Sequence, residues 1–125
     1  MTSPGLARIG LPPDFGEPTT RPELPAARYP ERIEALRSRM RSRGHDRLVV
    51  WADREHSAGL SFLTGFDPRF EEAILVLGPD DREPAILVGN ECWGMAGEAP
   101  LPMRRHLVQD LSLPGQPRDR SRPLA

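Results

Sequence analysis

Lysine is absent from this chain: every one of its 17 basic residues is arginine. We read that as the codon bias of a GC-rich genome, a matter of ancestry and not of chemistry. Cysteine is nearly absent as well. Cys92 stands alone, which excludes an internal disulfide framework and any cysteine-based zinc cluster built by this chain by itself, and makes a cytoplasmic location the expectation. No apolar run approaches the roughly 20 residues of a membrane span, and the stretch Met1 to Arg8 lacks the core of a signal peptide. Charge of one sign is missing too. With 17 basic against 18 acidic side chains the formal net charge is −1, so no global field draws the chain onto nucleic acid or an anionic membrane.

Several chemical signatures are equally missing. The sequence contains no G-x-G-x-x-G or Walker loop to cradle phosphate, no G-x-S-x-G elbow and no HExxH. Ser57, Ser61 and Cys92 therefore have no designated base, and Cys92 reads as a small buried hydrophobe.

What is present is proline, 15 in 125 residues, crowded toward both ends. This predicts a Pro-rich extended arm over residues 1–28, one globular unit over 29–113 and a tail over 114–125. In that tail Ser121-Arg122-Pro123-Leu124-Ala125 has the look of an interrupted helix start, with a capping serine and a proline in the first turn.

Periodicity marks the elements of the central unit. Tyr29, Ile33, Leu36 and Met40 share one face of a helix expected over Pro30 to Arg43, with Gly44 as its left-handed cap. Leu48 to Trp51 is a short apolar run expected to form a buried central strand. Ser57 to Leu63 predicts a short helix capped by Ser57, which Gly59 weakens. Glu71 to Leu77 and Pro84 to Val88 flank Gly78-Pro79-Asp80-Asp81-Arg82-Glu83, the composition of an antiparallel hairpin. A helix over Asn90 to Gly97, capped by Asn90, and a strand over Arg105 to Val108 complete the set.

Three groups of residues carry possible chemistry. Asp53, Glu55, His56, Asp67, Glu71 and Glu72 supply acid-base or metal-ligand side chains, yet without paired ligand spacing they read first as a solvated loop. His56, at a loop-to-helix junction, is expected to hydrogen-bond the backbone. The run Arg37-Ser38-Arg39-Met40-Arg41-Ser42-Arg43 places its arginines on the flanks of the apolar stripe, which favours a solvated helical face over an RNA footprint. Leu63-Thr64-Gly65-Phe66-Asp67-Pro68-Arg69-Phe70-Glu71-Glu72 sets two aromatics in a connector, where they either plug the core under the hairpin or touch a partner.

Taken in order, Tyr29, Arg32-Ile33, Leu36-Arg37, Met40, Gly44, Leu48-Val49-Val50, Asp53-Arg54-Glu55-His56, Leu63-Thr64-Gly65-Phe66, Phe70-Glu71-Glu72-Ala73 and Val88-Gly89-Asn90-Glu91 resemble the N-terminal domain of the aminopeptidase P, prolidase and creatinase family. The lead-in Pro22-Glu23-Leu24-Pro25 joins the resemblance. It implies an α/β domain with a mixed β-sheet flanked by helices, its C-terminal part missing. It further implies a domain that is no enzyme on its own and has no cofactor, because the family's two divalent metal ions sit in a following "pita-bread" catalytic domain, none of whose ligands has a counterpart here.

The family's N-terminal domain supplies oligomer contacts and part of the wall around the active site, for which His56, Phe66, Arg69 and Phe70 are the candidates. The implied partners are a pita-bread catalytic domain of an Xaa-Pro aminopeptidase, in cis or in trans, and further copies of the chain in a homo-oligomer. Gly59 departs from the pattern, which has Asn before this Leu. Two rival expectations stand beside this one: a free-standing module that pairs with itself or another protein through a sheet edge, and a small metal-dependent hydrolase using Asp53, His56 and Glu71.

Overall fold

The apolar stripe closes into a helix because its residues recur at helical spacing and have a sheet to lie on. In the computed structural model, which describes residues 10, 11, 13, 14, 16, 17, 19, 20, 22–116 and 119, α1 spans Arg28–Arg43 and buries Tyr29, Ile33 and Met40. Leu36 packs against the same core. The helix starts ahead of Pro30, since the Arg28 and Tyr29 N–H groups reach back to the Pro25 and Ala26 carbonyls at 3.0 and 3.2 Å. Gly44 ends it at φ 68°, the left-handed geometry that glycine adopts without a Cβ penalty. The expected helix start at Ser121 lies outside the described residues.

Four strands follow: β1 (Leu48–Ala52), β2 (Ala73–Leu77), β3 (Ala85–Val88) and β4 (Arg104–Leu107), with α2 (Ala58–Thr64) between the first two and α3 (Cys92–Gly97) between the last two. They form one mixed sheet in the order β1-β2-β3-β4. The first two pairings are antiparallel and β3 with β4 is parallel, as a helical crossover requires. A 3-10 turn, Gln109–Leu111, follows β4. The chain is thus an α/β fold, with helices flanking a mixed sheet.

Alternation sorts the sheet's side chains between two faces. On one, Ala52, Ala73, Leu75, Leu77, Ile86 and Val88 are fully buried and join Ile33 and Met40 of α1, Leu60 of α2 and Cys92 and Ala96 of α3 in a single core. The other face carries Val49, Trp51, Ile74, Val76, Ala85 and Leu87, none of them fully buried.

Several expectations are corrected here. The run from Leu48 is not a central strand: β1 lies at the margin of the sheet, with Val49 60% and Trp51 46% exposed. An apolar run reads the same whether one face or both are covered, and β1 is an edge because β2 is its one strand neighbour among the described residues. Ser57 precedes α2 but its hydroxyl makes no capping bond. Glu91, not Asn90, stands at the start of α3; the Asn90 side chain instead accepts from Gln109 Nε2 at 3.3 Å. The arginine-rich face of α1 is not wholly solvated either. Arg37 donates to the Asp81 carbonyl and Arg41 to the Pro79 carbonyl at 2.7 Å, so one flank of the helix clamps the β2–β3 connector.

Candidate functional site

The pairing register gathers the candidate residues at one end of the sheet. Ala52, Ala73, Val88 and Leu107 are neighbours across all four strands, so the segments just beyond them form one rim: 53–56 after β1, 68–72 before β2, 89–91 after β3 and 108–112 after β4. Three of the four candidates, His56, Arg69 and Phe70, lie on this rim and are exposed. Phe66 does not present its ring there. It is 3% exposed and belongs to the core, whereas Phe70 is 50% exposed; of the two aromatics one plugs the core and the other faces outward.

His56 is held by a carboxylate and not by the backbone, contrary to expectation. Asp53 Oδ1 accepts from His56 Nδ1 at 2.9 Å, from the His56 N–H at 2.6 Å and from the Glu55 N–H at 2.9 Å. Partial desolvation raises the Asp53 pKa, but the two backbone donors and then the His56 ring outweigh it and leave the carboxyl below its usual value. Stability contributed this way is present above the ordinary aspartate range and is lost as pH falls through the lowered pKa. With Nδ1 directed at Asp53, Nε2 is the ring atom left to meet a partner. The ring also sits 6.1 Å from that of Trp51.

Arg69 adopts φ 60°, the one positive value among the described non-glycine residues. An arginine in that region costs about 1 kcal/mol, and strain of this kind concentrates at contact sites. It is imposed locally by Asp67, whose Oδ1 accepts the Arg69 N–H at 2.9 Å, and by the Glu71 N–H bonding the Pro68 carbonyl at 3.2 Å. The resulting turn pushes Phe70 outward onto a cleft of about 280 Å³ shared with Glu71, Glu72, Asp110 and Leu113.

Glu71 is the residue whose position sequence reasoning misplaced. Assigned to a solvated acidic loop and to a possible metal set, it is 3% exposed and accepts the Glu91 and Cys92 N–H groups at 3.1 and 2.7 Å. Its carboxylate therefore caps α3 from across the fold. Gly89 leaves it room, since a Cβ there would come within 2.6 Å of Glu71 Oε1. No group of three or more His, Cys, Asp or Glu among the described residues is arranged to hold a metal ion.

Cys92 is fully buried, its thiol donating to the Pro68 carbonyl at 3.0 Å. Burial first, then the charges of Glu91 and Asp67, push its pKa from 9.0 up to about 11. The folded state thus holds this proton more tightly than the unfolded chain, and stability falls as pH climbs from about 9 through about 11. At pH 8 a disulfide reagent should modify the native thiol at least about 100-fold more slowly than the urea-unfolded one. Equal rates in the two states would show that the thiol is accessible.

No helix among the described residues is long and apolar enough to cross a membrane. No protein-family model and no curated protein matches the chain.

Proposed function

We propose that this chain is a non-catalytic N-terminal accessory domain of an Xaa-Pro aminopeptidase or creatinase-like metalloenzyme, a domain that forms oligomer contacts and part of the wall limiting access to the active site. One observation carries the reading: the candidate contact residues divide between the core and one exposed rim. Thr64 and Phe66 turn inward and build the scaffold, while His56, Arg69 and Phe70 are exposed along one rim. That division is what a wall-forming domain needs, with a rigid base under polar and aromatic groups free to meet a second surface. The mixed α/β sheet agrees with the same reading.

In this proposal the two divalent ions and their ligands belong to the pita-bread domain, in cis or in trans, and the chain alone does not hydrolyse Xaa-Pro peptides. The first test is the DNA downstream of codon 125, read in all three frames for a pita-bread domain with its two Asp, one His and two Glu. The second is biochemical. If such a domain is found, adding it to the purified chain should raise the chain's melting temperature, and Phe70→Ala should weaken the association about tenfold or more, as loss of an exposed aromatic contact does. Absence of such a domain both downstream and encoded apart, or no association when the two are mixed, would overturn the proposal.

A further inference from the structure

The two margins of the sheet are chemically opposite. β4 presents Arg104, Arg105 and His106, all exposed, the charged dressing that keeps an edge strand from pairing with another. β1 has no such protection. Its five residues, Leu48-Val49-Val50-Trp51-Ala52, contain no charge, no proline and no glycine, and among the described residues no strand pairs with its outer edge. Alternate residues of an edge strand direct N–H and C=O groups outward, and those of β1 need a partner or water.

What lies on either side of β1 specifies the partner. The chain reads His45-Asp46-Arg47 before the strand and Asp53-Arg54-Glu55 after it. Turned about Val50 by a two-fold axis, the segment becomes complementary to itself: Val50 meets Val50, Val49 meets Trp51, and Arg47 meets Asp53. One residue farther out Asp46 approaches Arg54. We infer that β1 is a self-association edge, pairing antiparallel with β1 of a second copy of this chain across a two-fold axis at Val50.

The side-chain geometry supports that register. Val49 and Trp51 lie on the open face of the sheet, and Arg47 and Asp53 continue the same alternation at either end of the strand. The four then form one cross-strand row, with an apolar centre and an ion pair at each end. Asp53 uses only Oδ1 for His56 and the loop N–H groups, so Oδ2 is the oxygen available to Arg47 of the other copy. Among the described residues Arg47 makes no ion pair; its Nη1 lies beside Gly78 and donates to the Asp46 carbonyl at 2.7 Å. The same operation at β4 would set Arg105 against His106 and gains nothing from charge. This inference concerns the β1 margin alone and does not depend on the accessory role.

Sedimentation equilibrium of the full chain from about 1 to 200 µM tests it, with the far-UV spectrum and melting curve confirming that each variant is folded. The expected result is a reversible monomer–dimer equilibrium. Val49→Lys changes an exposed residue that the monomer tolerates, and it should abolish the dimer. Arg47→Asp and Asp53→Arg each set like charges opposite one another at two symmetric places, and each should raise Kd about tenfold or more. Combined, they restore opposite charges and should return Kd to within about threefold of the parent. The His56 loop loses its Asp53 anchor in the double variant as well, so recovery there reports the charge pairing and not the loop. A chain that stays monomeric over the whole range, a dimer indifferent to Val49→Lys, or a double variant as weak as the singles would each overturn the inference.

Discussion

Replacing Gly65 with alanine should lower stability by about 2–4 kcal/mol, a large share of what a domain of this size possesses. Gly65 sits at φ 74°, and a Cβ built there would lie 2.3 Å from Pro100 Cγ and 2.9 Å from Tyr29 Cζ. The position thus demands both a left-handed backbone and the absence of a side chain, costing roughly 1 kcal/mol for the first and 1–3 for the overpacking. The neighbours cannot step aside cheaply. Pro100 is a closed ring whose successor, Leu101, bonds the Thr64 carbonyl at 3.4 Å, and Tyr29 is buried. Thermal unfolding should fall by roughly 10–25 °C. Gly59→Ala is the natural control, because the new methyl would meet only Val50 Cγ1 at an ordinary 3.7 Å. Within a helix that change should be neutral or stabilising by about 0.5 kcal/mol. Should both substitutions shift the melting temperature alike, the packing account of Gly65 fails.

A comparable loss, about 2–4 kcal/mol, is expected of Glu71→Ala. The substitution strands the Glu91 and Cys92 N–H groups, which Glu71 alone satisfies through its side chain, and opens a void beneath the rim. Glu71→Gln keeps an acceptor oxygen and should cost less, about 1–2 kcal/mol. Because the two N–H groups begin α3, the damage should appear first as local opening of that helix. Modification of Cys92 by a thiol reagent reads it directly: labelling should accelerate in the order parent, Glu71→Gln, Glu71→Ala. If Glu71→Ala unfolded at the parent temperature with an equally protected thiol, Glu71 would be a rim acid and not the cap of α3.

Gly65 and Glu71 also show where the sequence stops informing. The Leu63-Thr64-Gly65-Phe66 stretch is visible as a helix end followed by an aromatic, but its tightness is not. Thr64 Oγ1 donates to the Leu60 carbonyl at 2.8 Å and accepts the Phe66 N–H at 3.0 Å, while the ring of Phe66 enters the core; only the partners from α1 and the Pro100 turn make glycine obligatory between them. Glu71, seen in line with Glu72 and Asp67, has the composition of solvent-facing loop. Its acceptor role depends on α3, 20 residues later in the chain.

By itself the sequence determined what local physics controls. Helical spacing placed Tyr29, Ile33 and Met40 on one buried face, glycine at 44 ended that helix, and turn residues 78–83 joined two antiparallel strands. These depend on backbone preference and on patterns within a few residues. Tertiary structure alone decided which strand became an edge, which of Phe66 and Phe70 faced inward, and which loops met at one rim. It also decided that Arg37 and Arg41 hold a turn more than 35 residues away. The physical reason is common to all of these. An apolar or charged side chain states only what kind of surface it needs, and which surface it receives is fixed by the pairing order of the strands and the packing of helices that lie far apart in the chain.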